Sequence, residues 1–160
     1  SEIAEIKLVL AGKIWKNSDP VKMAQKLGVD KYVDFVGWLS IDQMPSYIAA
    51  SNICFHVPPA HNKEINRTIQ TKIYQYIHLG KPVIVGQPKM AKDFVLNNKI
   101  GFSINEKDHV DFANKVLKLY KDSNLRAEFG NNALKISQDY VWENSVKPML
   151  SYYKSFVQGI

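Results

Sequence analysis

The sequence predicts a protein of the α/β class. Short apolar runs such as LVLA and PVIV alternate with stretches in which apolar residues recur at helical spacing. Most of these runs are followed by glycine or proline, which end regular elements. Strands that alternate with helices form βαβ units, and nearly continuous apolar strands are typical of a parallel sheet that is buried on both faces. We therefore expect a three-layer, Rossmann-like domain: a parallel sheet of about five strands, helices on both faces, and further helices at the C-terminus.

The elements can be placed in chain order from these patterns. The predicted strands are residues 6–11, 32–36, 52–57, 82–85 and 101–104. The predicted helices are residues 21–27, 41–50, 71–79 and 91–97, followed by C-terminal helices at about 107–120, 124–139 and 142–156. Asp19 suits the N-cap of the first helix, and Gly80 suits the end of the third. Ligands bind beyond the carboxyl ends of parallel strands, which directs attention to the loops that follow them.

Composition limits the classes of partner. The chain has 160 residues, 46% of them apolar and 22% charged, as in an ordinary globular domain. The net charge of +6 favours anionic partners: nucleotide phosphates, nucleic acid or an anionic membrane surface. The lysines are spread along the chain without interleaved aromatic residues, so we expect no nucleic-acid partner and regard many lysines as solvated. The chain begins with Ser rather than Met, and we expect it to be a piece of a longer protein.

Several common kinds of site are missing from the sequence. It contains no GxGxxG, GxxxxGK[ST] or GxSxG motif, and the spacing of His and Cys does not make a zinc site, so we expect no metal. Glu106, Asp108 and Asp111 surround a predicted helix start, where capping explains them. The single Cys54 lies in an apolar run, which favours a buried core residue over a catalytic thiol and suits a reducing cytosol.

The first candidate binding element is VDFVGWLS. Gly37 directly follows a predicted strand, so the backbone there, next to Trp38, can approach a flat ligand closely. A simple strand-ending turn explains the same pattern equally well.

The second candidate is the helix that begins near Gln70 and Thr71, after a long loop. A helix N-terminus offers unpaired backbone N–H groups and a positive dipole end, both of which suit a phosphate. Lys72 adds a positive charge in the first turn, although a solvated lysine is the alternative. Gln75, one turn further along, suits either a ribose hydroxyl or packing at the rim of the site.

The loop between these elements supplies the candidates for chemistry. His56 ends a strand, and a hydrogen-bonded structural role is expected over that of a general base. His61 is a candidate to contact a bound ligand. Glu64 is the only carboxylate of the loop. It is a candidate to act on the ligand, and an exposed surface residue is the alternative.

Five blocks carry a family resemblance, in the same order as in the family. They are KLVLAG, LGVDKYVDFVGWLSIDQMPSYIAASNICFHVPP, KIYQYIHLGKPVIVG, NNKIGFSINEKDHVDFANKVLKLYKDSNLRAEFGNNALKIS and VWENSVKPMLSYY. Together they resemble the GT4-type, or group 1, glycosyltransferases over nearly the whole chain.

The resemblance implies half of a GT-B fold, with residues 1–160 as its nucleotide-sugar-binding C-terminal domain. The N-terminal acceptor domain, and the first strand and helix of this domain, are expected to be absent from the chain. The implied activity is transfer of a sugar, with retention, from a UDP-, GDP- or ADP-sugar to an acceptor such as a growing polysaccharide or a lipid-linked glycan. No cofactor or metal is implied. The expected location is the cytoplasm, with peripheral contact at the inner membrane face, and the isolated chain is expected to be inactive.

The resemblance also implies roles for individual residues. The backbone near Gly37 would face the base, the helix N-terminus at Gln70 and Thr71 would hold the diphosphate, and Gln75 would face the ribose. The family often carries two glutamates eight positions apart, and this sequence has Arg67 and Gln75 there instead. Arg67 suits a phosphate. These departures keep open the alternative of a degenerate, non-catalytic binding domain. A GT-B-related sugar-nucleotide epimerase is a third, more remote alternative.

Overall fold

The computed structural model describes residues 6–14, 19–58 and 67–157. The chain divides into two compact units, Ser1–Ser46 and Tyr47–Ile160. Five parallel strands are observed in the described residues, as the sequence predicts, with two paired in the first unit and three in the second.

The first unit contains the strands β1 (Leu8–Ala11) and β2 (Val33–Gly37), which pair in parallel. They are connected through helix α1 (Pro20–Lys26) and a short 3₁₀ turn (Asp30–Tyr32). The Asp19 side chain accepts a 3.0 Å hydrogen bond from the Lys22 N–H group, which confirms the predicted N-cap of α1.

Helix α2 (Met44–Ala50) is shorter at its N-terminus than the predicted span of residues 41–50. Pro45, the second residue of α2, has no N–H group to donate to the Ile41 carbonyl, which interrupts the helical bonding of residues 41–43. The Ser40 N–H group donates to Gln43 Oε1 at 3.0 Å, and the Gln43 N–H group donates to Ser40 Oγ at 3.3 Å. This reciprocal arrangement is a capping box, which marks a helix start, and residues 41–43 form a turn before the regular helix.

The second unit contains a three-stranded parallel sheet in the order β3 (Cys54–His56), β4 (Val83–Val85), β5 (Gly101–Ser103). Helices α3 (Thr71–His78) and α4 (Lys89–Asn97) connect these strands. The C-terminal region then forms α5 (His109–Lys121), α6 (Ser123–Ser137), a 3₁₀ turn (Gln138–Tyr140) and α7 (Trp142–Val157).

The central strand β4 is fully buried, and its alternating side chains feed two cores. Val83 and Val85 pack with residues of α3, α4 and α6 on one face. Ile84 packs on the other face with Leu119 of α5 and Phe129 of α6. The second unit therefore has helices on both faces of a parallel sheet, as the sequence predicts.

Among the described residues, no helix is both long and apolar enough to cross a membrane.

Candidate functional site

Backbone hydrogen bonds fix the carboxyl edge of the three-stranded sheet. The Gly86 N–H group donates to the His56 carbonyl at 3.1 Å, and the Ile104 N–H group donates to the Val85 carbonyl at 2.9 Å. The Ser103 hydroxyl donates to the Gly86 carbonyl at 3.1 Å. These bonds bring the ends of all three strands to one edge, where an open parallel sheet binds its ligands.

Helix α3 forms because one of its faces is apolar, and it ends where glycine permits a turn. Ile73 and Ile77 are fully buried in the core beneath it. Gly80 then adopts a φ of +63°, a conformation that favours glycine, and its N–H group donates to the Ile77 carbonyl at 3.0 Å. The helix and its end are as predicted from the sequence.

The start of α3 differs in charge from the starts of α5 and α6, whereas α4 also begins with a lysine and has no acidic residue in its first turn. The first turn of α3 contains no acidic residue, and Thr71 and Lys72 are exposed there. In contrast, Asp108 caps α5 and Asp122 caps α6 through side-chain hydrogen bonds. A lysine in the first turn adds to the positive end of the helix dipole, so this helix start attracts an anion.

His56 lies beside this helix start. It is the last residue of β3 and is half-buried. Burial, followed by the positive charge of Lys72, lowers the pKa of the imidazole below 6.5, whereas hydrogen bonding with the Gln70 side chain opposes the shift. The buried Nε2 atom of His56 makes no hydrogen bond of normal geometry with the described residues. The ring is therefore mainly neutral at pH 7, next to Gln70 and Lys72.

The structure thus brings His56, Gln70 and Lys72 together, a proximity that the sequence analysis missed. This proximity could have been predicted, because a residue that ends a strand and a helix that starts after the following loop both lie at the carboxyl edge of a parallel sheet. Gln75 is half-buried one turn into α3, and Arg67 is exposed. The predicted candidates His61 and Glu64 lie outside the described residues.

The remaining sequence-based expectations concern Cys54 and the acidic residues before α5. Burial raises the pKa of the Cys54 thiol to about 12, so it is a protonated core residue, as predicted. The Asp111 N–H group donates to Asp108 Oδ1 at 2.8 Å, which confirms the predicted cap. Among the described residues, no three His, Cys, Asp or Glu side chains cluster as a metal site requires. That a metal is not needed stays a prediction.

A cavity of about 190 Å³ lies in the second unit near the start of α5. Its lining residues are Phe55, Val57, Ile104, Glu106, Asp108, His109 and Phe112. None of the predicted donor-binding residues lines it.

The first unit places Gly37 and Trp38 at the carboxyl end of β2. Gly37 has a φ of +70°, and a Cβ atom there would meet no other atom within 4 Å. Trp38 is 71% exposed, and the Lys13 ammonium lies 5.5 Å from the centroid of its ring. Lys13 was not predicted as a site residue, although it and Trp38 each follow a glycine that ends a strand.

Comparison with known families decides the classification. Residues 1–136 match the family described as Glycosyl transferases group 1. The chain belongs to this family. A search of curated protein sequences gave no significant match to this group 1 glycosyltransferase chain.

Solved glycosyltransferase structures share the fold of this group 1 glycosyltransferase chain. HepE from Anabaena, in complex with UDP, superimposes with a TM-score of 0.79 at 20% identity, covering 95% of this chain and 41% of HepE. Sucrose-phosphate synthase from Thermosynechococcus elongatus gives a TM-score of 0.78 at 18% identity, covering 99% of this chain and 40% of that enzyme. The C-terminal domain of the group 1 family protein LpcC from Francisella tularensis gives 0.68 at 18% identity, covering 85% and 70%.

These superpositions establish the fold, which is that of a domain of GT-B glycosyltransferases. The chain spans about two fifths of the length of HepE and of sucrose-phosphate synthase.

Proposed function

We propose that this chain is the nucleotide-sugar-binding C-terminal half of a GT4-type glycosyltransferase. It would hold the donor while the rest of the enzyme supplies the acceptor, and the sugar would be transferred with retention of configuration and without a metal. Family membership supports this proposal, as does the likeness to the separately solved C-terminal domain of LpcC. Because the chain spans about two fifths of HepE, we expect no transferase activity from the isolated chain.

The start of α3 is the observation that carries the proposal. It lies at the carboxyl edge of the parallel sheet. The positive end of the helix dipole is there, together with an exposed lysine and no acidic residue in the first turn. Burial, followed by the charge of Lys72, lowers the pKa of His56 at this edge. A diphosphate would satisfy both the helix dipole and the lysine.

The other parts of the donor have candidate positions. Gly37, in the first unit, leaves its backbone open to a flat base. Gln75 would donate to or accept from a ribose hydroxyl, more weakly than a carboxylate would. Arg67 is exposed and would pair with a phosphate. HepE has been solved with UDP and with UDP-glucose, which supports a nucleoside diphosphate sugar as donor, with UDP, GDP and ADP as the candidate carriers.

Catalytic residues are proposed only as candidates. His61 and Glu64 belong to the loop before α3, and we propose that they approach the donor sugar. The acceptor would be a growing polysaccharide or a lipid-linked glycan, as the family resemblance implies. A cytoplasmic location with peripheral contact at the inner membrane face follows from the same resemblance and from the net charge of +6. Co-sedimentation with anionic vesicles tests that contact.

Helix α7 supports the proposal of a missing N-terminal domain as partner. No residue of α7 is buried. Trp142, Val146, Met149 and Tyr153 recur at helical spacing and so form one apolar stripe, of which Val146 is half-buried and the others are exposed. An apolar stripe of this kind is normally covered, and we propose that the N-terminal half covers it.

A second function stays open because of two residues. Arg67 and Gln75 occupy the positions where the family often has glutamates. This favours, as the alternative, a degenerate domain that binds a nucleotide sugar or a protein partner without catalysis.

Calorimetric titration of the chain with pyrophosphate and with UDP tests the diphosphate site. Lys72→Ala should weaken both ligands by about tenfold, the low end of the range for hydrogen bonds to charged groups, because Lys72 is exposed. Lys135→Ala is the matched control, since Lys135 is an exposed lysine in the last turn of α6. Equal affinities in the parent and the Lys72→Ala chain would remove α3 from the site.

A further inference from the structure

The cavity near the start of α5 lies at the same edge of the three-stranded sheet as the start of α3. Val57 follows β3 and Ile104 follows β5, and both line the cavity, so it lies beyond the carboxyl ends of these strands. The proposed donor is held at this edge, and an acceptor must reach the donor there. The part of the enzyme that supplies the acceptor would therefore face the cavity as well.

The volume of the cavity suits a single side chain. Pockets for drug-sized ligands measure about 300–1,000 Å³, whereas this cavity measures about 190 Å³. An apolar cavity of about 150 Å³ already holds a molecule of the size of benzene. The cavity is therefore too small for a nucleotide sugar, but it fits one long side chain, such as that of lysine or arginine.

Two aromatic rings border the cavity. The Phe55 ring on β3 and the Phe112 ring on α5 meet edge to face, with their centroids 5.5 Å apart and an angle of 69° between their planes. Both side chains are half-buried and line the cavity. Aromatic rings attract a cation and also cover the methylene stem that carries it.

Two carboxylates line the same cavity and determine which sign of charge it favours. Asp108 is exposed, and its Oδ1 atom already accepts the 2.8 Å hydrogen bond from the Asp111 N–H group. Glu106 is half-buried and forms no ion pair with any residue that the structure describes. Lys107, between them, is exposed and does not line the cavity. In a chain with a net charge of +6, this acidic lining favours a basic group.

We propose that the cavity receives a lysine or arginine side chain from the N-terminal half of the enzyme. The stem of that side chain would pack against Phe55 and Phe112, and its charged end would pair with Glu106. The choice of partner rests on the proposed function, because the donor site is what makes the N-terminal half face this edge. The contact would join the two halves next to the place of sugar transfer without touching the donor.

Titration of the isotopically labelled chain with mimics of single residues tests the proposal through amide chemical shifts. The probes are the N-acetyl, N-methylamide derivatives of lysine, arginine and norleucine, the last of which keeps an apolar stem without the charge. The lysine or arginine derivative should cause saturable shifts at Val57, Ile104 and Phe112. It should bind about tenfold more tightly than the norleucine derivative, the low end for hydrogen bonds to charged groups.

Two substitutions separate the charge from the aromatic wall. Glu106→Gln should remove the preference for the charged derivative and leave the affinity for the norleucine derivative unchanged. Phe112→Leu keeps an apolar wall and should weaken the charged derivative about threefold, as the loss of a cation–π contact predicts. Glu128→Gln is the matched control, because Glu128 is an exposed glutamate of α6 that does not line the cavity. It should change no affinity.

The enzyme that carries both halves tests the choice of partner. There the charged derivative should cause no saturable shift at the cavity, because the side chain of the N-terminal half occupies it. Saturable binding at the cavity of the two-half enzyme would overturn the proposal.

Three results with the isolated chain would also overturn it. They are equal affinity for the charged and norleucine derivatives, an unchanged preference after Glu106→Gln, and binding of n-butylammonium without binding of the lysine derivative. The third result would assign the cavity to a free amine. If UDP binds in a Lys72-dependent manner while the charged derivatives cause no shift at the cavity, only this inference fails. If neither UDP nor pyrophosphate binds while the cavity selects the charged derivative through Glu106, the donor-binding function fails instead.

Discussion

Replacement of Gly130 with alanine should destabilise the second unit, although glycine is a poor residue for a helix interior. Gly130 lies inside α6, and a Cβ atom there would stand 2.6 Å from the Gly80 carbonyl oxygen, just beyond α3. Alanine gains about 1 kcal/mol of helix propensity over glycine. Overpacking typically costs about 1–3 kcal/mol. Here the new Cβ atom would meet the backbone of Gly80, which moves less readily than a flexible side chain. Taking the upper half of that range, about 2–3 kcal/mol, and subtracting the gain in propensity, we expect a net loss of about 1–2 kcal/mol in the free energy of unfolding.

Urea unfolding followed by far-ultraviolet circular dichroism measures this change. Asn131→Ala is the control, since Asn131 is exposed in the same helix and should gain about 0.5 kcal/mol from propensity alone. The two neighbouring substitutions should therefore change stability in opposite directions. A stabilised Gly130→Ala chain would refute the close approach of α6 to the end of α3.

Three further predictions concern stability. Asp108→Ala should cost about 1 kcal/mol, because the Asp111 N–H group loses its 2.8 Å bond to the cap, and Asp108→Asn should retain most of the stability in thermal melts. Gly101→Ala should cost about 3 kcal/mol or more in urea unfolding, because its Cβ atom would overlap the Val83 carbonyl oxygen; a chain of near-parent stability would contradict the strand register. His56 has a pKa below 6.5, so its contribution to stability is present above pH 6.5 and lost as the pH falls through the folded pKa. In pH-dependent melts His56→Asn should lack that loss, and an unchanged profile would place the titration elsewhere.

The strands of this chain could be predicted because burial on both faces leaves an almost pure apolar signal. Val83, Ile84 and Val85 are all fully buried, and they form the strand where PVIV predicts one. The start of α2 was less predictable. Apolar spacing extends back to Ile41, but Pro45 has no N–H group to donate to the Ile41 carbonyl, so the regular helix begins at Met44.

The candidate site was predictable in part. The start of α3 follows from helix periodicity and from the rule that ligands lie at the carboxyl edge of a parallel sheet. The contact between Lys13 and Trp38 was not predicted, because it depends on which residues of β1 and β2 lie opposite each other. A shift of one residue in register has no signature in hydrophobic pattern when a strand contains few residues.

The central claim is that the start of α3 binds the diphosphate of a nucleotide sugar. Its most direct test is a titration of the isotopically labelled chain with UDP, followed by amide chemical shifts in nuclear magnetic resonance spectra. We predict that the backbone amides of Thr71 and Lys72 shift most and saturate together, because helix N-terminal N–H groups face the phosphates. Saturating shifts confined to residues around Phe112, or an absence of saturable shifts at the start of α3, would contradict the account.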